Sequence, residues 1–575
     1  MKKLFLLLIV SIILSACTND ESTNPDTEGS QSLEEEKATN KGDLHNEMEL
    51  TKANLDNLYT LGKVWGFLKY YHPNVADGEF DFDQELMGIL PEIMKAENAD
   101  ERDGVLIDWI VSLGDFEMET NPEETGGDIK MEPDLDWIIA SNFNEKLVQQ
   151  LQNVKDGKRN TYHHYVSLTD VGYPIFEEEA YADMSNPEVE YRLLSLYRYW
   201  NMIEYYFPYK YLIEEDWDDV LHAFLPKFIN ASTEKEYVVT VSEMIARIHD
   251  THAQIVSDEP ALHAFWGNNY APLIMDFIED KPVVTGYYHV DLGKETGLQV
   301  GDVITKVDDK PIEAILDEKL KYISASNHTI KLREMSSKIL RTNDTSLEVE
   351  FIRDGKTKTR EIKAGVEQYD PFQKDQDYYR EFSEDIAYLY LGSIKAAYAE
   401  EIRSNLEGKQ GLIVDLRCYP SAFITYALGE YLLPQSEVFA KVTSGNVITP
   451  GLFSEAEELH VGENNEDYFK GEVVLLVNEF TQSQAEFTAM ALQNAPNATV
   501  IGSTTAATDG DISHITLPGG IETIITGIGI YYPDGTETQR IGIVPDVTVE
   551  PSIEGIKQGR DEVLERAIEL INGEE

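Results

Sequence analysis

The chain has 575 residues, with 47 lysines and arginines against 105 aspartates and glutamates, a formal net charge of −58. So acidic a surface repels nucleic acid and anionic lipid headgroups, which excludes a nucleic-acid partner. A hydrophobic content of 42% and 31 tyrosines make most of the chain globular, and the length predicts about three or four domains.

In chain order, the first predicted element is Met1-Lys2-Lys3 followed by an apolar run from Leu4 to Leu14 and then Ser15, Ala16 and Cys17. The run is short for a membrane span and small residues precede the cysteine. It resembles a bacterial lipoprotein signal peptide, residues 1–17, with Cys17 as the lipid attachment point. That implies export and anchoring on the outer face of a bacterial membrane, touched only through the lipid. Cys17 and Cys418 are the only cysteines, so a lipidated Cys17 leaves no internal disulfide. Residues 18–48, polar and acidic with almost no large apolar side chain, predict a disordered tether.

Residues 49–184 read as a mainly helical domain, with Leu58, Leu61, Val64, Trp65 and Leu68 at three- and four-residue steps forming core. A second helical block, residues 185–265, contains "YRLLSLYRYWNMIEYYFPYKYL" and ends in "EMIARIHDTHAQIV", whose last helix carries His249 and His252. Across 268–368 the pattern changes to short β-like runs with turn signals at Asp280-Lys281-Pro282 and Asp354-Gly355. From 375 to 575, "IAYLYLG", "GLIVDLR", "EVVLLVN" and "ATVIGS" alternate with the helical "FITYALGEYLL" and "AEFTAMALQNA", predicting an α/β layered domain. The fold class is multidomain α+β.

Between "VVLLV" and the second of those helices lies "TQSQAEF", Thr481 to Phe487. Locally, Ser483 and Glu486 form a capping box at a helix start. A helix N-terminus also offers unpaired N–H groups and a positive dipole end suited to an oxyanion, so cap and nucleophile are compatible readings.

The phrase "GLQVGDVITKVDDKPI" resembles a PDZ domain, a fold that adds a peptide as an extra strand. Taken with "GLIVDLR", "VNEFTQSQAEFTAMAL" and "GIVPDVTV" in that order, the chain resembles the tail-specific, or C-terminal processing, serine peptidases. The resemblance implies a helical part of the protease core at 185–265, a PDZ-like domain at 268–368 and a crotonase-like layered protease domain at 375–575. It makes Ser483 the nucleophile. Many relatives supply a lysine base downstream, but no lysine occurs between Lys470 and Lys557, which removes the serine–lysine dyad in its usual form. The tricorn-like branch instead takes a histidine from the preceding helical region. That points to His252 as general base, preceded by Thr251, with His514 in reserve.

The same resemblance puts Gln539, or Glu537 two residues earlier, at the place of the group that orients the histidine. It puts the oxyanion hole at the backbone of Gln484 with Ser421 or Ala422, since Pro420 has no N–H. Gly297 and Leu298 fall in the PDZ-like peptide-binding loop. Asp415 and Arg417 read as a structural ion pair, and Pro545-Asp546 as an architectural turn. A lone His249-x-x-His252 is a weak metal signal, and no metal or cofactor is expected. The expected function is an exported serine endopeptidase acting on unfolded or C-terminally presented polypeptides through an acyl-enzyme. The alternative is a catalytically decayed lipoprotein that binds a peptide or apolar ligand on the same fold.

Overall fold

The computed structural model describes residues 51–120, 127–366 and 376–573; the signal-peptide, Cys17 and tether expectations lie outside them. Helix α1 (Lys52–Tyr71) begins where the Thr51 side chain accepts the Asn54 N–H, and its predicted stripe Leu58, Leu61, Val64, Trp65 and Leu68 is wholly buried. It packs with α2 (Phe82–Lys95), and α3 (Ala99–Ser112) follows. The centre of the helical region is α4 (Val189–Tyr206), buried on nearly every side. A helix so enclosed must satisfy its polar side chains internally. Arg192 accordingly donates to the carbonyls of Pro187, Phe228 and Ile229, and Arg198 pairs with Asp83 and Glu178. Around it lie α5 (Trp217–Asn230) and α6 (Glu234–Ile245), the latter opened by a Thr233/Glu236 capping box.

The sequence pattern carries a helix through to the histidine pair; the chain leaves it earlier. One 3-10 turn, Ala246–Ile248, follows α6, and His249 then adopts φ 52°, a left-handed conformation that ends the helix. His252 therefore sits in the turn that follows, on no helix.

A small antiparallel sheet comes next: β1 (Ile274–Ile278), β2 (Lys281–Gly286), β3 (Val303–Val307), β4 (Ser346–Arg353) and β5 (Lys356–Lys363), in the order β5-β4-β3-β2-β1. The β1–β2 and β4–β5 hairpins turn on Glu279-Asp280 and Asp354-Gly355, all with positive φ, as two-residue turns matched to strand twist require. Helix α7 (His328–Ile339) packs against β1, which is the edge of this sheet.

The C-terminal region contains β6 (Tyr379–Glu381), β7 (Ile386–Tyr390), β8 (Gly411–Asp415), α8 (Thr425–Leu432), β9 (Glu437–Ser444), β10 (Phe453–Val461), β11 (Glu472–Val477), α9 (Gln484–Leu492), β12 (Ala498–Gly502), β13 (Ile512–Leu517), β14 (Ile521–Thr526), β15 (Gly529–Tyr531), β16 (Val547–Thr548) and α10 (Glu562–Ile571). The main sheet runs β6-β7-β8-β11-β12-β16, parallel apart from β6. Its inner strands are continuous apolar runs because both faces are covered. A second sheet joins β15, β9 and β10 to a short strand, Ile129–Met131, from the first helical region. The helical and α/β parts are thus stitched together, also by Tyr209, whose hydroxyl accepts the Ile530 N–H and donates to its carbonyl. Among the described residues no helix is long and apolar enough to cross a membrane.

Candidate active site

Three loops leave the carboxyl ends of β8, β11 and β12, the edge where open parallel sheets place ligand sites. The middle one carries Ser483, which is the N-cap of α9 with φ 52° and ψ −115°. For a residue with a Cβ this is a strained conformation worth about 1–3 kcal/mol, held only where its surroundings fix it. The fixing is visible: the Ser483 N–H donates to the Thr508 carbonyl at 3.0 Å and to Glu486 Oε2 at 3.3 Å. The Ser483 carbonyl takes the Phe487 N–H at 2.9 Å to start the helix. A sharp, strained strand-to-helix turn is the geometry that presents a nucleophilic hydroxyl.

Glu486 reaches further than the capping box. Its buried carboxyl accepts the Thr505 hydroxyl, the Ala507 N–H at 2.8 Å and the Thr508 N–H at 3.0 Å. Burial pushes it up to about 7, against the pull of those donors. Gly542, at φ 69°, lies so close that a Cβ would fall 2.2 Å from Thr505 Oγ1 and 2.9 Å from Glu486 Oε1, which explains the glycine of "GIVPD". The neighbouring Asp546 exchanges hydrogen bonds with Val500 on β12. Removing the Glu486 acceptor leaves several buried donors unmet, so Glu486→Ala is expected to cost about 3–5 kcal/mol in urea unfolding.

His252 lies beside the Thr508 end of this brace. Its Nδ1 is 2.8 Å from Thr526 Oγ1 and 3.2 Å from Thr508 Oγ1. Burial lowers its pKa, and the nearby Asp250 carboxyl pulls it back up. Its turn is pinned by Thr251, whose hydroxyl donates to the Ala506 carbonyl at 3.0 Å. Ser483 and His252 are thereby held to one residue: Thr508 takes the serine N–H on its carbonyl and sets its hydroxyl oxygen 3.2 Å from the imidazole Nδ1.

The other candidates fall as follows. Gln539 is buried and its Nε2 donates to Asp250 Oδ1 at 3.2 Å, so it meets the histidine's neighbour. Glu537 is bound to Lys130 and Tyr211. His514 is on the exposed face of β13. His249 faces Lys331, Arg540 and Glu214, and burial followed by the two cations lowers it to about 4. Gln484 opens α9, where its N–H has no acceptor within the helix. The Ser421 N–H is engaged by the Leu391 carbonyl at 3.0 Å. Ala422 is half-buried in the same loop, whose Tyr419 phenol lies near Ser483. Arg417 bridges Asp415 and Asp561. The Leu298 N–H donates to Thr296 Oγ1, and Arg353 donates to the Gly297 carbonyl, so both backbone groups of this loop are already engaged. Among the described residues no group of three or more metal-ligating side chains gathers.

Residue-by-residue reading missed Asp250, Thr508 and Thr526. The signal for Asp250 was its place in "IHDTH"; nothing local marks either threonine.

Residues 385–549 match the family model described as Peptidase family S41. That segment resembles an S41 peptidase domain, and the curated relatives it can be compared with are C-terminal-processing proteases. A carboxy-terminal-processing protease of Bartonella bacilliformis is 26% identical over 288 residues, 47% of this chain and 58% of that protein. A carboxyl-terminal-processing protease of Synechocystis sp. is 23% identical over 292 residues, 49% of this chain and 62% of that one. The chain therefore spans about six-tenths of the length of these curated relatives. Among solved structures, mature CPAF complexed with lactacystin shares the fold at a TM-score of 0.51 and 14% identity, covering 67% of this chain and 99% of that one. The S41 match takes in Ser483, Glu486, Thr508, Thr526 and Gln539 but not residues 249–252. His252 and Asp250 thus meet the matched segment from outside its span.

Proposed function

We propose that this chain is a serine endopeptidase of the tail-specific type, cleaving unfolded or C-terminally presented polypeptides. The observation that carries the proposal is the strained Ser483 turn bonded to the same threonine that meets the His252 ring. Ser483 Oγ attacks the scissile carbonyl while His252 Nε2 takes its proton; the amine leaves with that proton, and water releases the acyl group by the reverse transfers. The Gln484 N–H at the helix N-terminus faces the developing oxyanion, with Ala422 as the second backbone donor.

A cavity of about 730 Å³ supports a polypeptide substrate. Its lining includes Thr251 and Ala253 on either side of His252, Gln482 next to Ser483, and Ile274 on the edge strand β1. An extended chain added to β1 would gain main-chain hydrogen bonds and run toward the serine, which is how a PDZ-like domain presents a peptide. This reading favours the β1 edge over the Gly297–Leu298 loop as the docking element. We retain Cys17 as the lipid anchor of an exported protein.

The test is to incubate the purified chain with an unfolded protein and, separately, with a fluorophosphonate. Cleavage with the probe mapped to Ser483 is the expected result. Probe attachment elsewhere, or no cleavage of any unfolded substrate, rejects the proposal.

A further inference from the structure

We propose that Asp250 is the anion that orients and stabilises His252, acting through the hydroxyls of Thr508 and Thr526, in place of a carboxylate at position 539. The proposal rests on the serine–histidine reading above.

Asp250 is fully buried. Its Oδ1 accepts the Thr508 hydroxyl at 2.8 Å, the Thr526 hydroxyl at 2.9 Å, the His252 N–H at 3.1 Å and Gln539 Nε2 at 3.2 Å; its Oδ2 accepts the Thr526 N–H at 2.8 Å. Five donors around one carboxyl leave it an acceptor only, the form of an ionised carboxylate. Each threonine hydroxyl owns one proton, and both are spent on Asp250. Toward His252 Nδ1 the two hydroxyls therefore present lone pairs alone. The ring must carry its proton on Nδ1 to bond with them, which leaves Nε2 with the lone pair that a general base needs. When Nε2 takes the serine proton, the new imidazolium faces a carboxylate one hydroxyl away.

The same contacts account for glutamine at 539. Its amide donates to Asp250 Oδ1, whereas a glutamate there would set a second carboxylate 3.2 Å from the first. Charge supplied from the His252 turn makes glutamine the fitting neighbour. Asp250 is a positioning residue: it touches the base and its relays, not the substrate.

The experiment compares pH profiles of kcat/KM for the parent, Asp250→Asn, Gln539→Glu and the double variant. The titratable groups facing this cluster are His252 on the same turn, Tyr199 from α4, and Glu486 and Asp509 on the far side of Thr508. None of the last three is altered by the variants. Asp250→Asn is expected to lose about 10²–10⁴-fold, as when a triad carboxylate becomes an amide. Its acid limb should move to lower pH, since losing the anion makes the imidazolium harder to form. Gln539→Glu alone should also lose activity, but in the Asp250→Asn background it should restore at least about tenfold by returning one carboxylate.

Parental activity and an unmoved acid limb in a folded Asp250→Asn overturn the proposal. If that variant does not fold, Thr526→Val decides: a loss of about tenfold supports the relay and no change overturns it. Parental activity in Ser483→Ala or His252→Ala would bring down the underlying reading as well, and so separates that failure from this one.

Discussion

Ser483→Ala is expected to lower cleavage of an unfolded protein by about 10⁴–10⁶-fold and to abolish fluorophosphonate labelling. On the proposed mechanism Ser483 is the group that forms the acyl bond, and oxyanion donors alone leave only residual catalysis. The fold should survive. The contacts that hold the strained turn use the Ser483 backbone: its N–H to Thr508 and Glu486, and its carbonyl to Phe487. Alanine keeps all of them and keeps the same cost of a positive φ. Unfolding free energy should therefore stay within about 1 kcal/mol of the parent. Turnover and melting measured on one preparation separate chemistry from stability; retained labelling would show the wrong nucleophile.

His252→Ala is expected to cost a similar about 10⁴–10⁶-fold, since on the proposed mechanism nucleophile and base act as a unit. Unlike the serine variant it should also destabilise the chain, by about 1–3 kcal/mol, because the ring fills a buried site and partners two threonine hydroxyls. The parent's pH dependence checks the same assignment. Burial lowers the His252 pKa from 6.5, and the neutral ring is the competent base. Activity should hold as pH falls past 6.5 and drop only below it. An acid limb above 6.5 would contradict the buried histidine.

The S41 segment was legible because its strands are uniform apolar runs and because a serine three residues before a glutamate marks a helix start. The helical stripe of α1 and the two-residue hairpin turns were legible for the same reason: each is a local pattern. The continuation of α6 through His252 was misread, because residues 246–256 have helical composition and only the left-handed His249 ends the helix. The β9–β10 hairpin and the strand 129–131 went unmarked, since their pairing partners are far away in sequence.

What the sequence determined by itself was local: a serine three residues before a glutamate at a helix start, and no lysine between Lys470 and Lys557. Only the tertiary structure decided how the parts meet. Thr508 and Thr526 are ordinary threonines in the sequence; folding places both hydroxyls between Asp250 and the His252 ring. Glu486 reads as half of a capping box, yet packing turns its carboxyl into the brace for residues 505–508. Hydrogen bonds between segments more than 250 residues apart depend on the whole fold, and no local propensity encodes them.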